Sequence, residues 1–340
     1  MHNIHKNIVT VETDWQKELA SAFTDPKNLL EHLGLNPNDY LADIEARRLF
    51  TMRVPRFFAD LMTKHDPNDP LLQQVLPLKD EFLSVDGFGQ DPTQEHDKAN
   101  HGIVHKYENR VLLIVRTGCA VNCRYCFRRH FPYNEHHNNR QQWQDALTYI
   151  QKHPILDEVI LSGGDPLMAN DSQLDWLISQ IETISHIKRL RIHTRLPVVL
   201  PQRITSGLVD RLQRSRLTAN MVLHINHPQE ISTQLSEKVA QLSRNLIRVY
   251  NQAVILRNIN DDAKTLMHLN EKLYDNHIQP YYLHAFDKVQ GASHFYVSDE
   301  QVVSLMREVI AKQSGYMIPK LVREIGNRKS KTWLDLSLDV

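Results

Sequence analysis

All three cysteines of this 340-residue chain lie in one stretch, RTGCAVNCRYCFRRHF. Cys119, Cys123 and Cys126 are spaced Cys-x3-Cys-x2-Cys. Thiolates are soft ligands suited to zinc or to iron–sulfur clusters. A structural zinc takes four protein ligands, so a histidine such as His130 or His136 would have to complete the set. A four-iron cluster needs a terminal ligand on each iron. Three cysteines then leave one iron open, and an open position is a catalytic feature. Three unrelated thiols are the remaining reading. An odd count at this spacing does not suit a disulfide framework.

Chemistry of this kind has to be positioned. From Tyr107 onward, short β-rich runs alternate with helical ones. The strand candidates are 111–116, 158–162, 189–194, 221–225, 248–256 and 280–285. Helical patterns occupy 140–152, 172–185, 206–213, 232–244, 262–276 and 298–313. Six β-α units with buried strands predict a parallel α/β sheet covered by helices, either doubly wound or an incomplete barrel. Both place ligands at the C-terminal ends of the strands. The cysteines follow the first strand. A glycine-rich turn, SGGDP at 162–166, follows the second.

The rest of the chain is less legible. Residues 1–104 read as a mainly helical region, with DWQKELASAF and LADIEARRLFTMRV at helical spacing. A run rich in Pro and Asp, from KHDPNDP to KANHG, reads as loops and turns. Residues 105–315 form the expected barrel, and 316–340 a C-terminal segment. Forty basic residues balance forty acidic ones. No global positive field therefore exists for nucleic acid or an anionic membrane. The chain shows no signal peptide and no apolar run of spanning length, so we expect a cytoplasmic protein with reduced thiols.

The cysteine motif, with Tyr125 before its last member, resembles the radical S-adenosylmethionine (SAM) superfamily. That resemblance implies a [4Fe-4S] cluster on Cys119, Cys123 and Cys126. Its open iron chelates SAM, which is cleaved to a 5′-deoxyadenosyl radical. Gly163, Gly164 and Asp165 match the glycine-rich motif that holds the SAM amino group.

Longer segments are similar to the lysine 2,3-aminomutase family: YENRVLLIVRTGCAVNCRYCFRR, RLPVVLPQRIT, HINHPQEIS, NQAVILRNIND and GASHF. This resemblance implies an incomplete parallel (β/α)6 barrel and a second cofactor, pyridoxal 5′-phosphate (PLP). Counting from Ile318–Pro319 places the Schiff-base lysine on Lys331. Lys329 competes, because GNRKS stands where the family carries a glycine run. Arg128 matches the arginine that binds the substrate carboxylate. Asp287 and Glu324 match the acids that bind the side-chain ammonium, although Glu324 stands where the family usually has Asp. Arg110 and Tyr107 are placed near PLP, and His224 and Gln252 near SAM or PLP.

The implied activity is an amino shift from C2 to C3 of L-lysine, giving (R)-β-lysine. The short chain and single cysteine cluster look most like the type that makes β-lysine for elongation factor P. That type implies an electron donor such as flavodoxin or ferredoxin, and a ligase that attaches the product. Two other readings stay open: a PLP-independent radical SAM enzyme acting on RNA or protein, and a zinc-bearing RNA-binding module. Neutral charge and the lack of basic–aromatic interleaving weigh against the module.

Overall fold

The computed structural model describes residues 14–48, 51–96, 99–100, 102–132, 140–334 and 336. Ten strands lie side by side in chain order. They are β1 (Ala99–Asn100), β2 (Ile103–Tyr107), β3 (Arg110–Arg116), β4 (Glu158–Gly163), β5 (Arg189–Thr194), β6 (Thr218–His224), β7 (Arg248–Val254), β8 (Ile278–His284), β9 (Lys320–Arg323) and β10 (Thr332–Trp333). Neighbours from β3 to β9 are parallel. The outer pairs β1–β2, β2–β3 and β9–β10 are antiparallel. Among the described residues β1 and β10 do not pair, so the barrel stays open.

Six β-α units, β3 to β8 with their helices, make the expected incomplete (β/α)6 barrel. Five short helices come first: α1 (Trp15–Ala20), α2 (Pro26–His32), α3 (Leu41–Ile44), α4 (Arg56–Asp60) and α5 (Pro70–Gln73). The barrel helices are α6 (Arg140–Gln151), α7 (Asp171–Glu182), a short α8 (Leu196–Val199), α9 (Ser206–Gln213), α10 (Thr233–Arg244), α11 (Ala263–Asp275) and α12 (Asp299–Lys312). Their starts are chemically marked. Ser232, Asp262 and Ser298 each accept a backbone N–H at the head of the helix that follows. At Ser298 the bond is reciprocated by Gln301, so SDEQ is a full capping box.

Four strands escaped the sequence reading. β1 lies in the run read as loops, and β2, β9 and β10 are short and carry polar residues. The same run contains α5. Asp69 caps it by accepting from Leu71 and Leu72, and Pro70 fills its first position. Asp-Pro also marks turns, which is why the run read as irregular.

One hydrophobic core joins the N-terminal helices to the barrel, running from Trp15, Leu29 and Phe58 through Leu174 and Val209. The strands alternate differently from a filled barrel. In β5, Leu190 and Ile192 are buried in the hydrophobic core, while Arg191 and His193 face inward onto a cavity. None of the described helices is long and apolar enough to cross a membrane.

Candidate active site

A cavity of about 1280 Å³ opens at the C-terminal ends of the strands. Fifteen of the residues singled out above line it: Tyr107, Arg110, Cys119, Cys123, Tyr125, Cys126, Arg128, Gly163, Gly164, Asp165, His224, Gln252, Asp287, Glu324 and Lys331. Lys329 is exposed and is not among the lining residues.

The cysteine loop is held from two sides. On one side the N-terminal region grips it. Asn122 donates to the Thr51 carbonyl at 2.6 Å, and Arg53 donates to the Cys119 carbonyl at 3.2 Å. Arg124 is fully buried; its Nε donates to Glu81 at 2.7 Å and its Nη1 to the Gln73 carbonyl at 2.7 Å. Glu81 also pairs with Arg129 at 2.7 Å. The first hundred residues, unreadable from sequence, thus include a clamp for this loop.

On the other side sits the glycine turn. The Gly164 N–H donates to the Arg116 carbonyl at 2.7 Å, and the Asp165 N–H to the Gly118 carbonyl at 3.0 Å. A Cβ on Gly164 would stand 2.6 Å from the carbonyl oxygens of Thr117 and Gly118. At Gly163 it would stand 2.3 Å from the Arg116 oxygen, and φ there is +120°. Both glycines are therefore required by close approach of the two loops. The Asp165 carboxylate braces the turn. It accepts from Thr194 Oγ1 (2.7 Å), Leu167 N (3.0 Å), and Arg195 N and Leu196 N (both 2.9 Å).

The thiols fit a cluster better than a single ion. Burial pushes the Cys119 thiol up and raises Cys126 to about 11, with Cys123 adding repulsion. Buried thiols such as Cys119 and Cys126 ionise readily only against metal charge. Among the described residues, no three His, Cys, Asp or Glu side chains converge on one ion site. Each iron of a cluster takes its own thiolate, so convergence is not needed there. His130 turns to the Gln290 carbonyl at 3.2 Å and does not line the cavity. That corrects its reading as a fourth zinc ligand. His136 lies outside the described residues.

Behind the cysteines runs a chain of oriented donors. Arg195 Nη1 donates to Cys123 Sγ at 2.7 Å and to the Tyr125 hydroxyl at 2.6 Å. Tyr125 in turn bonds His224 Nε2 at 2.9 Å. Burial, with Arg195 nearby, depresses His224 to about 3, so the ring is neutral and accepts from Tyr125. In the register of β6 and β7, Gln252 stands opposite His224.

The far wall is charged. Glu324 accepts from the Tyr107 hydroxyl at 2.7 Å and pairs with Lys106 at 2.9 Å and Lys331 at 2.7 Å. Burial pushes Glu324 up, but Lys331 and Lys106 outweigh it and hold the carboxyl at about 2. Because Tyr107 at the end of β2 meets Glu324 just past β9, the two sides of the sheet close around the cavity. Arg110 lies over the Tyr107 ring, 4.1 Å from its centroid. Arg128 donates from Nε to Glu95 at 2.7 Å and from Nη1 to Ser162 at 3.4 Å. Burial raises Asp287 to about 7 against the pull of Lys331.

Several of these residues were not found in the sequence. Glu95 and Lys106 belong to no motif, and Arg195, the first residue of RLPVVLPQRIT, was not singled out within it. His193 and His284 also line the cavity, and burial holds both imidazoles neutral. His193 Nε2 is buried without a hydrogen-bond partner among the described residues. An unsatisfied polar nitrogen facing a cavity suits a bound polar group. The Arg-x-His spacing of RLRIHT, polar on alternate positions of a strand, is the one clue the sequence held.

Comparison with known proteins agrees with this geometry. Residues 113–269 match the model of the radical SAM superfamily. The chain is 52% identical over 98% of both chains to a protein named L-lysine 2,3-aminomutase from Escherichia coli. It is 48% identical, over 96% of both, to one of that name from Haemophilus influenzae. A third, from Clostridium subterminale, is 30% identical over 94% of this chain and 77% of its own length. The zinc-bearing RNA-binding module falls away with these matches. The chain belongs to the radical SAM lysine 2,3-aminomutase family.

Proposed function

We propose that this isomerase converts L-lysine to (R)-β-lysine, moving the amino group from C2 to C3. One observation carries the reading: three thiols, a cavity lysine and a split set of charges share a single cavity. The family's cofactors are a [4Fe-4S] cluster, SAM and PLP. When bound, they supply a hydrogen-abstracting radical and a carrier for the migrating nitrogen.

In our assignment Cys119, Cys123 and Cys126 hold three irons and leave the fourth for SAM. Gly163, Gly164 and Asp165 shape the adjoining wall, with Tyr125, His224 and Gln252 beside it. Lys331 carries PLP, flanked by Arg110 and Tyr107. The substrate is gripped at both ends. A guanidinium fork suits its carboxylate, and Arg128 provides one. Its side-chain ammonium goes to Asp287 and Glu324. Neutral His193 and His284 fill the intervening wall without adding positive charge against a cationic substrate.

We further propose that the product serves elongation factor P through a separate ligase, in the cytoplasm. Electrons come from a flavodoxin or ferredoxin. The single cysteine cluster supports this assignment. Protein reconstituted anaerobically with iron and sulfide, then given SAM, PLP, reductant and L-lysine, should form β-lysine. Omission of any one cofactor should stop it. Unchanged L-lysine in the complete mixture would overturn the proposal.

A further inference from the structure

Glu95 lies on a strap from the N-terminal region and lines the cavity. The strap is fastened along its length. The Gly89 N–H donates to the Lys288 carbonyl at 3.0 Å, and Gln290 N–H to the Gly89 carbonyl at 2.9 Å. Gln94 accepts from Asn327 Nδ2 at 2.8 Å, and its side chain fills the space where a Cβ on Gly326 would fall. Asp91 accepts the backbone N–H groups of Glu95 and His96, both at 2.9 Å. The strap is thus tied to the loops after β8 and β9, which lead from Asp287 and towards Lys331.

Glu95 is buried, at 6% exposure, and reaches inward from this fixed backbone. One oxygen takes Arg128 Nε at 2.7 Å. The other faces Lys106 at 3.4 Å, and Lys106 in turn pairs with Glu324 at 2.9 Å. Arg128, Glu95, Lys106 and Glu324 form one chain of ion pairs across the cavity wall. An arginine side chain has large rotamer freedom, and any anchor that removes it before binding favours the bound geometry. The guanidinium fork offers donors on two edges. Glu95 takes the Nε edge. From the Nη end, Nη1 donates to the neutral Ser162 hydroxyl at 3.4 Å, a longer contact than the one Glu95 makes.

We infer that Glu95 is a positioning residue, acting through Arg128 to set recognition of the substrate carboxylate. Through Lys106 it also fixes the separation between the carboxylate and ammonium grips. The inference rests on the proposed lysine reading and adds a residue outside every motif that led to it.

The test compares wild-type holoenzyme with Glu95→Gln, which keeps shape and removes charge. KM for L-lysine should rise roughly tenfold to a hundredfold, with kcat moved far less. L-Lysinamide lacks the carboxylate, so its inhibition constant should be the same in both proteins. A merely structural role would shift both ligands together. Glu95→Asp keeps the charge on a shorter arm, and its KM should fall between the two; it decides the matter if Glu95→Gln does not fold. Unchanged or lowered KM in these variants, or equal losses for lysine and lysinamide, would overturn the inference alone. A wild-type enzyme that leaves L-lysine untouched would instead overturn the proposed function, and the inference with it.

Discussion

At the scale of single residues, the cavity explains why isolated side chains in the sequence belong together. In the sequence, counting from Ile318–Pro319 favours Lys331 over Lys329, two apart in a basic tail. In the fold, strand β10 starts at Thr332, and Lys331 turns onto Glu324 while Lys329 points to solvent. Borohydride treatment should fix PLP to wild type and to Lys329→Ala, but not to Lys331→Ala. Retention read by absorbance and mass checks it; loss in the Lys329 variant alone would reverse the assignment. Asp287 carries a pH prediction. Its pKa of about 7 lies above the ordinary value. Between the two, the native state holds a proton that the unfolded state has lost, so stability falls as pH rises through that window. Gripping an ammonium needs the ionised form. Accordingly kcat/KM for L-lysine should rise about tenfold per unit up to pH ~7 and then level off. Asp287→Asn should lower the plateau roughly thirtyfold and abolish this rise. Arg195 stood unmarked inside RLPVVLPQRIT, and Glu95 had no comparable trace in the sequence. Their partners are 72 and 33 positions away, at Cys123 and Arg128, and only folding brings them near.

At the scale of elements, the repeating strands and helices were legible because hydrophobic period and caps agree. Ser232, Asp262 and Ser298 marked three helix starts that the fold keeps. The short outer strands were not legible, since two to five residues carry too little pattern. Yet they bring Tyr107 and Glu324 together. The glycine turn is the element whose role changed most. It was read as a cofactor motif, and it is also the packing surface for the cysteine loop. Gly164→Ala should push the Thr117 and Gly118 carbonyls away and destabilise the protein by about 2 kcal/mol. Thermal denaturation should show the loss, and iron and sulfide analysis should show a poorly retained cluster. Full iron retention at unchanged stability would contradict the close-approach argument.

At the scale of the whole molecule, an open sheet leaves a cavity where a filled barrel would have a core. Its inner face is polar because Arg191, His193, His224 and Gln252 stand on the inward positions of three strands. The N-terminal helices share the barrel's core and clamp the cysteine loop through Asn122 and Arg124, so cluster geometry depends on parts of the chain far apart in sequence. The central claim is that this one cavity moves nitrogen between adjacent carbons of lysine. The most direct measurement follows L-lysine labelled with nitrogen-15 at the α-amine, incubated anaerobically with the reconstituted enzyme. Nuclear magnetic resonance should find the label bonded to C3 of β-lysine, with none released. Label that stays on C2, or leaves as ammonia, would contradict the account.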